Sequence, residues 1–155
     1  MNSHFHTYLD FFCGYLKISG DSHGLASISF TEKPEKIETT CPASLREPLK
    51  QLTEYLAKKR QKFSLKLNLR GTDFQKKVWQ ELLEMPYGQT VSYEKIAQNI
   101  GCPKAVRAVG TAIGKNPIGI IIPCHRVIRK NGSLGGYAGG LKRKEWLLAH
   151  EKKDI

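Results

Sequence analysis

The sequence predicts an α/β N-terminal domain at residues 1–69, followed by a mostly helical C-terminal domain at residues 70–155 that contains a helix-turn-helix. Two short β-prone runs and one helical repeat occupy the first third of the chain. From Thr72 onward, apolar residues recur mostly at helical spacing. This change in pattern places the domain boundary near residues 68–71.

The N-terminal elements are predicted from local periodicity. The runs "YLKISG" and "LASISF" flank "GDSHG", which is typical of two strands joined by a turn. The polar segment "TEKPEKIETTCP" predicts a loop. In "ASLREPLKQLTEYLAKKR", leucines recur at helical spacing, and Pro48 is expected to interrupt the helix early. "FSLKLNL" alternates apolar and polar residues, as a half-buried strand does.

The C-terminal half begins with a helix start signal. Thr72 and Gln75 stand in the relation of a capping box, and Phe74, Val78 and Leu82 follow four apart up to Pro86. A helix-turn-helix is predicted next, in "SYEKIAQNIGCPKAVRAVGTAIG". Its predicted signals are a cap at Ser92, an end at Gly101, Pro103 in the first turn of the second helix, and an inward face of Val106, Val109 and Ile113.

The second of these helices presents unusually small side chains. Ala105, Ala108 and Gly110 would let its backbone lie close to a surface, while Arg107 projects. Such a face suits minor-groove contact with little reading of sequence. An ordinary, closely packed helical hairpin is the alternative.

The charge balance also favours a polyanionic partner. Twenty-five Lys and Arg residues against fourteen Asp and Glu residues give a formal net charge of +11. Nucleic acid is the commonest partner of such a chain. The alternative is that the positive charge only keeps the protein soluble. There is no apolar run of about 18 residues and no signal-peptide pattern, so we expect a soluble, intracellular protein.

The cysteines show no metal-binding spacing. They stand at positions 13, 41, 102 and 124, without a CxxC pair, and are expected to be free thiols. A zinc ion could in principle gather several N-terminal ligands, but their spacing fits no zinc pattern and we expect no metal site; they are His4, His6, Cys13, His23 and Cys41.

The stretch "IGIIIPCHRVI" carries the clearest chemical signal. The isoleucine run predicts a buried strand or extended segment that ends at Pro123, so Cys124 should emerge where the backbone turns. A cysteine reacts as its thiolate, which needs a base or a positive environment. His125 could be that base, with Arg126, Arg129 and Lys130 adding positive potential. A buried core thiol is the alternative.

A histidine base also needs an acid to orient it. Glu145 and Glu151 of the predicted C-terminal helix are both candidates, and spacing does not choose between them. The preceding loop, "NGSLGGYAGG", is either a linker or a ligand-contacting loop with Tyr137 as a pocket wall.

The blocks "IPCHRVI", "SYEKIA", "PKAVRAVGTAIGKNP" and "GGYAGGLKRKEWLLAHE" resemble the O6-alkylguanine-DNA alkyltransferases, also called methylated-DNA–protein-cysteine methyltransferases. The resemblance covers residues 70–151 almost without a gap, whereas the N-terminal third matches only in its α/β character. It implies DNA repair in a single-turnover, self-inactivating reaction, in which the protein flips out O6-alkylguanine and accepts the alkyl group irreversibly.

The resemblance also implies the roles of individual residues. Cys124 is the acceptor, His125 its base acting through water, Glu151 the acid that orients the histidine, Asn116 the residue that holds the turn, and Tyr93 the donor to the leaving guanine. Arg107 enters the base stack, and the other residues implied at the DNA are Ser92, Lys104, Ala105 and Ala108. The Val127 carbonyl, Tyr137 and the Ala138 amide line the substrate pocket.

The partner implied is double-stranded DNA containing O6-alkylguanine, bound through its minor groove by a monomer, without a cofactor and without a membrane. The expected location is the cytoplasm, associated with the nucleoid, or the nucleus in a eukaryote. Some relatives carry an N-terminal zinc whose ligands cannot be matched here, and some have Ser in place of Ala138. Two other functions are alternatives. The presence of Cys124 argues against a damage sensor, which would keep the DNA-binding fold but lack the cysteine. A Cys-His hydrolase of the papain kind fits poorly with the adjacent cysteine and histidine, the helix-turn-helix and the basic charge.

Overall fold

The computed structural model describes residues 5–34 and 41–152. His4 and positions 35–40 of the predicted polar loop lie outside these ranges. The chain divides into two compact units, Met1–Arg70 and Gly71–Ile155, and each is described by itself.

The N-terminal unit is built on an antiparallel sheet of three strands in the order β1-β2-β3. The predicted hairpin is confirmed as β2 (Gly14–Asp21) and β3 (Gly24–Thr31). The first strand, β1 (Phe5–Phe11), was not predicted. Its pairing of Phe11 with Gly14 leaves a two-residue turn in which Cys13 has a φ of 63°. The aromatic-rich run before this Cys-Gly turn was the available signal.

One helix completes the core of this unit. A short 3-10 turn, Ala43–Leu45, leads into α1 (Arg46–Leu56). Pro48 lies within the first turn of α1, where its missing N–H has no carbonyl to meet, so the expected interruption was wrong. The buried apolar side chains of the helix and the sheet form one core: Leu16, Ile18, Leu25, Ile28, Leu45, Leu52 and Tyr55.

The predicted strand "FSLKLNL" does not form. The segment meets β3 at a single parallel bridge between Leu25 and Leu67. The Leu25 N–H donates to the Lys66 carbonyl, and the Asn68 N–H donates to the Leu25 carbonyl. Upstream, the Gln51 amide accepts from the Ser64 N–H and donates to the Ser64 carbonyl, so a side chain occupies groups that a strand partner would use. The apolar residues of the alternation are half-buried as predicted, but so is Asn68, and the expected strand ladder is absent from this described segment.

The C-terminal unit is mostly helical, and its helices are α2 (Asp73–Leu83), α3 (Tyr93–Asn99), α4 (Val106–Gly114) and α5 (Leu141–Glu151). The capping box at the start of α2 is confirmed, with both Thr72–Gln75 hydrogen bonds present. Trp79 is buried and donates its indole N–H to the Ala112 carbonyl at 2.9 Å, which fastens α2 to α4.

The helices α3 and α4 are joined by a short turn. Ser92 caps α3 by accepting the Lys95 N–H, and Gly101 follows its end with a φ of 79°, both as predicted. Pro103 was expected inside the second helix but lies before it, in a turn closed by the Ala105 N–H and the Cys102 carbonyl. That turn has its own hydrogen bond, so α4 starts only at Val106.

Two short strands connect the start of α3 to the centre of the unit. Val91–Ser92 (β4) pairs in parallel with Val127–Ile128 (β5), which follows a 3-10 turn at Cys124–Arg126. Among the described helices none is long and apolar enough to cross a membrane. Within residues 5–34 and 41–152, no three His, Cys, Asp or Glu side chains gather in a way that could hold a metal ion.

Candidate active site

The isoleucine run before Cys124 is a series of tight turns. Ile118, Ile120, Ile121 and Ile122 are all buried, but the predicted strand or extended segment was wrong. The Ile121 N–H reaches the Gly119 carbonyl at 2.8 Å, and Ile120 has a φ of 70°, a region that β-branched residues rarely adopt. An apolar run indicates burial, and it does not by itself distinguish a strand from a buried coil.

Asn116 takes the place of a strand partner for this segment. Its carbonyl oxygen accepts the Ile118 N–H at 2.9 Å, and its amide donates to the Ile122 carbonyl at 2.8 Å. One side chain therefore satisfies backbone groups at both ends of the run. This geometry fits the expected role of Asn116 in holding the turn.

The backbone then reverses at Pro123. Its φ of −81° and ψ of 62° close a three-residue turn, in which the Cys124 N–H donates to the Ile122 carbonyl at 2.7 Å. Cys124 and His125 thus lie in a 3-10 turn. Adjacent side chains on a strand would point to opposite faces, and this turn removes that constraint.

Cys124 is 6% exposed and opens onto a cavity of about 360 Å³. Burial raises the pKa of its thiol, opposed by a hydrogen bond to Asn116 and by the nearby charge of Lys144. The resting group is therefore a thiol at neutral pH, and reaction requires a base.

His125 is fully buried and lies 2.7 Å from Glu151, measured from Nε2 to a carboxylate oxygen. Burial lowers the pKa of His125 below its ordinary 6.5, although Glu151 opposes the shift. The ring is therefore neutral at pH 7, and its Nε2–H donates to the carboxylate, which leaves the lone pair on Nδ1. Among the described residues, Nδ1 has no hydrogen-bond partner, so it is available to accept a proton.

A second buried residue, Arg126, also holds Glu151. Arg126 donates to the carboxylate from Nε at 2.8 Å and from Nη2 at 3.1 Å, and also donates to the Met85 carbonyl. The Gly88 N–H approaches the same carboxylate at 3.3 Å. Burial by itself would raise the pKa of Glu151, but the hydrogen bonds from His125 and Arg126 outweigh it and hold that pKa well below its ordinary value. Arg126 was expected to supply positive potential to Cys124, and its guanidinium is instead paired with Glu151. Glu145, the other candidate acid, is exposed.

Lys144 is a buried cation that the sequence interpretation missed. Its side chain donates to the carbonyls of Val127, Leu134 and Gly136. Burial lowers the pKa of its ammonium to about 8. A signal was available, because Lys144 stands three residues before buried Leu147 and seven before buried Glu151 on the same face of α5.

Several expected pocket residues meet at the cavity, and others do not. Tyr93, Tyr137 and Ala138 line it together with Cys124, whereas Val127 is buried and is not among the lining residues. A methyl group added at Gly135, whose φ is +72°, would lie 2.8 Å from the Tyr93 hydroxyl, so glycine is needed there. Gly135 and Gly136, in the loop that was one candidate for ligand contact, also line the cavity, as does Arg129, which was expected to add positive potential near Cys124. The lining residues that were not predicted are Gly110, Ile113 and Gly114.

The residues expected at the DNA lie around α4, apart from Ser92, which caps α3. Lys104 and Ala105 precede α4, and Arg107 and Ala108 lie in its first turn. Lys104, Arg107 and Ala108 are exposed, and Ala105 is half-buried. Gly110 and Gly114 of the same helix line the cavity. The helix that carries Arg107 and Ala108 therefore also lines the cavity that Cys124 faces.

Comparisons with known proteins agree along the whole chain. Residues 73–153 match the family model described as 6-O-methylguanine DNA methyltransferase, DNA binding domain, and residues 4–69 match its ribonuclease-like domain. A methylated-DNA–protein-cysteine methyltransferase of Methanosarcina acetivorans is 49% identical over 145 residues, covering 89% of this chain and 92% of the relative. The protein of the same name from Mycobacterium tuberculosis is 46% identical over 143 residues, covering 90% and 87%.

Solved structures agree with these relatives. The crystal structure of the M. tuberculosis O6-methylguanine methyltransferase has a TM-score of 0.86 at 43% identity and covers 97% of this chain and 93% of that one. A structure of the M. tuberculosis protein in complex with DNA has a TM-score of 0.86 at 44% identity, covering 95% and 92%. The chain therefore belongs to the 6-O-methylguanine DNA methyltransferase family.

Proposed function

We propose that this protein repairs DNA by transferring the alkyl group of O6-alkylguanine to its own Cys124, once per chain. The observation that carries the proposal is the arrangement of Cys124 at the cavity, followed directly by a histidine whose tautomer Glu151 sets. The names of the relatives, which are methylated-DNA–protein-cysteine methyltransferases, point to the same reaction.

The first step is removal of the thiol proton. His125 accepts it at Nδ1, through one water, because its other nitrogen donates to Glu151. Glu151 then stabilises the imidazolium that forms, while Arg126 keeps the carboxylate ionised and in place. The elevated pKa of the Cys124 thiol means that the nucleophile is generated only when this base acts.

The second step is displacement at the alkyl carbon. The thiolate forms the carbon–sulfur bond as the bond from carbon to O6 breaks, and the electron pair passes to the guanine. Tyr93, whose pKa is raised chiefly by burial, keeps its proton at neutral pH and donates it to the leaving base. Proton return from His125 through solvent restores the tyrosine. The products are guanine and an S-alkylcysteine, and because a thioether has no easy leaving group, the protein turns over once.

The DNA complex is proposed to use α3 and α4 as a helix-turn-helix in the minor groove. The target base lies inside a duplex and Cys124 lies in a cavity, so the nucleotide must leave the stack. The small residues Ala105 and Ala108 permit close approach of the helix, Arg107 fills the space of the departed base, and Lys104 contacts phosphate. The N-cap residue Ser92 supports the start of α3 near the same surface.

The pocket contacts are proposed to come from three positions. Tyr137 forms a wall, the Ala138 amide donates to the base, and the Val127 carbonyl accepts from its exocyclic amine. Val127 already accepts from Lys144 at 2.7 Å, and a carbonyl with two lone pairs accommodates a second donor. In this proposal residues 70–155 carry DNA binding and transfer in a monomer, and residues 1–69 support them.

The test is to mix the protein with a duplex oligonucleotide bearing one O6-methylguanine and weigh the intact chain. A gain of one methyl group, mapped to the Cys124 peptide and capped at one per chain, supports the proposal. Cys124→Ala should bind the duplex without gaining mass. A wild-type protein that binds the duplex and gains no mass would instead be a damage sensor, and release of product from a peptide ester by wild type alone would indicate a hydrolase.

A further inference from the structure

Lys144 is a buried charged residue without an ion-pair partner among the residues that the structure describes. Its side chain is fully inaccessible, and the hydrogen bonds of its Nζ go to backbone carbonyls only. Burying a charge without an opposite charge is costly, and lysines are rarely buried unless they are paired. A buried, unpaired ammonium therefore calls for an explanation beyond packing.

The three carbonyls belong to two different segments, each of which carries residues that line the cavity. Val127 follows the 3-10 turn that contains Cys124, whereas Leu134 and Gly136 belong to the glycine-rich loop that carries Tyr137 and Ala138. Neutral carbonyl dipoles partly solvate the ammonium and place the loop against the strand. Lys144 thus joins the segment that carries the nucleophile to the wall of the cavity.

Among the residues that the structure describes, one group near the ammonium can become its counter-ion. The titratable or charged side chains that act on it, or on which it acts, are Cys124, His125 and Arg129. Neither a histidine nor an arginine side chain becomes an anion near neutral pH. Only Cys124 becomes an anion there, and it does so during the reaction.

We propose that Lys144 is a positioning residue for the alkyl transfer, which fastens the pocket loop and supplies the counter-charge to the Cys124 thiolate. The inference rests on the proposed function for its role in repair, but the counter-charge itself does not depend on DNA. An ammonium held by three carbonyls is already in place when the thiolate appears, so no reorganisation is needed at that moment.

Three substitutions separate the two roles. Lys144→Gln keeps N–H donors and removes the charge, Lys144→Arg keeps the charge, and Lys144→Met removes both. Lys142→Met, at an exposed position of α5, is the matched control. Each full-length variant is assayed for the pH dependence of Cys124 alkylation by iodoacetamide and for methyl uptake from O6-methylguanine duplex.

We expect Lys144→Gln to move the pH profile of iodoacetamide alkylation upward by about one unit, which lowers the rate near neutral pH about tenfold. Lys144→Arg should restore most of that rate, and Lys142→Met should match wild type. Lys144→Met should also lose methyl uptake. A wild-type pH profile in Lys144→Gln would overturn the counter-charge, and normal methyl uptake by Lys144→Met would overturn the fastening of the loop.

A second measurement leaves Lys144 intact, in case its variants fail to fold. In wild type, the rate of iodoacetamide alkylation should rise about tenfold per pH unit up to about pH 8 and flatten there, because Lys144 loses its proton near that pH and no longer stabilises the thiolate. A rise that continues unbroken through pH 8 would overturn the coupling. If wild type accepts no methyl group, the proposed function fails, whereas the iodoacetamide profiles still decide the coupling.

Discussion

Replacing Glu151 with Gln should destabilise the C-terminal unit strongly, because it leaves Arg126 charged and buried. Arg126 is 5% exposed, and its guanidinium donates two hydrogen bonds to the Glu151 carboxylate. Breaking a buried ion pair by removing one partner costs about 3–5 kcal/mol. Since the Met85 carbonyl stays available to Arg126, we expect the lower end, about 3 kcal/mol. In a unit of this size that corresponds to a fall in Tm of roughly 12–24 °C.

The assay is urea unfolding followed by tryptophan fluorescence. Both tryptophans of the chain, Trp79 and Trp146, belong to the C-terminal unit, so the signal reports on that unit. The matched control is Glu145→Gln, an exposed position of the same helix, which should change stability by less than about 0.5 kcal/mol.

A double-mutant cycle makes the reasoning refutable. Arg126→Met combined with Glu151→Gln removes both charges. The double mutant should therefore lose less unfolding free energy than the two single mutants together, by at least about 2 kcal/mol. If the effects of the two single substitutions on unfolding free energy add up, the ion pair is not buried as described. A loss of less than about 1 kcal/mol for Glu151→Gln would show the same. At temperatures where Glu151→Gln is folded, methyl transfer should be slower by about 10²-fold or more, because a carboxamide can hold His125 in the wrong tautomer.

Three further changes test other parts of the site. Arg107→Ala should slow methyl transfer from duplex DNA at least about tenfold while leaving reaction with the free base O6-methylguanine unchanged; equal losses on both substrates would argue against insertion into the stack. Gly135→Ala should displace the Tyr93 hydroxyl and lower the transfer rate on both substrates, and an unchanged rate on the free base would contradict the packing described. The free energy of unfolding should decrease as the pH falls below about 6.5, because the folded state keeps His125 neutral while the unfolded chain takes up the proton. Further loss follows below the ordinary pKa of Glu151, as its pairing is removed. Fluorescence-detected unfolding across pH 4–8 measures both, and a flat response above pH 5 would be inconsistent with a buried neutral histidine.

Features that depend on neighbours in sequence were predicted well. The capping box of Thr72 and Gln75, the cap at Ser92 and the left-handed Gly101 all involve residues within one helical turn, where spacing specifies geometry. The order of cysteine and histidine after Pro123 likewise located the centre of the site, because a proline that ends an apolar run forces a change of direction.

Features that depend on tertiary contacts were missed or mistaken. The isoleucine run was expected to be extended, and only the folded positions of Asn116 and its two hydrogen bonds explain why it turns. Arg126 is a basic residue in basic surroundings, and nothing in its spacing says that it pairs with Glu151. The spacing of Lys144 on α5 places it on the buried face of that helix, but it does not say that the ammonium meets backbone carbonyls. Charged residues are usually solvated, so their partners inside a core are visible only once the core is assembled.

The turns between Ile118 and Cys124 bear on how the site moves. Their amides at Ile121, Ile122 and Cys124 bond to carbonyls of the same short segment, and the isoleucine side chains around them are buried. Opening any one of these amides to solvent would also expose the buried isoleucine side chains around it. These amides are therefore not expected to exchange their hydrogens through local fraying. In hydrogen–deuterium exchange, this irregular stretch should therefore be protected as long as the central helices, exchanging only when the whole C-terminal unit unfolds. The nucleophile then belongs to the most rigid part of the protein, and any adjustment to a bulkier alkyl group must come from the glycine-rich loop opposite it.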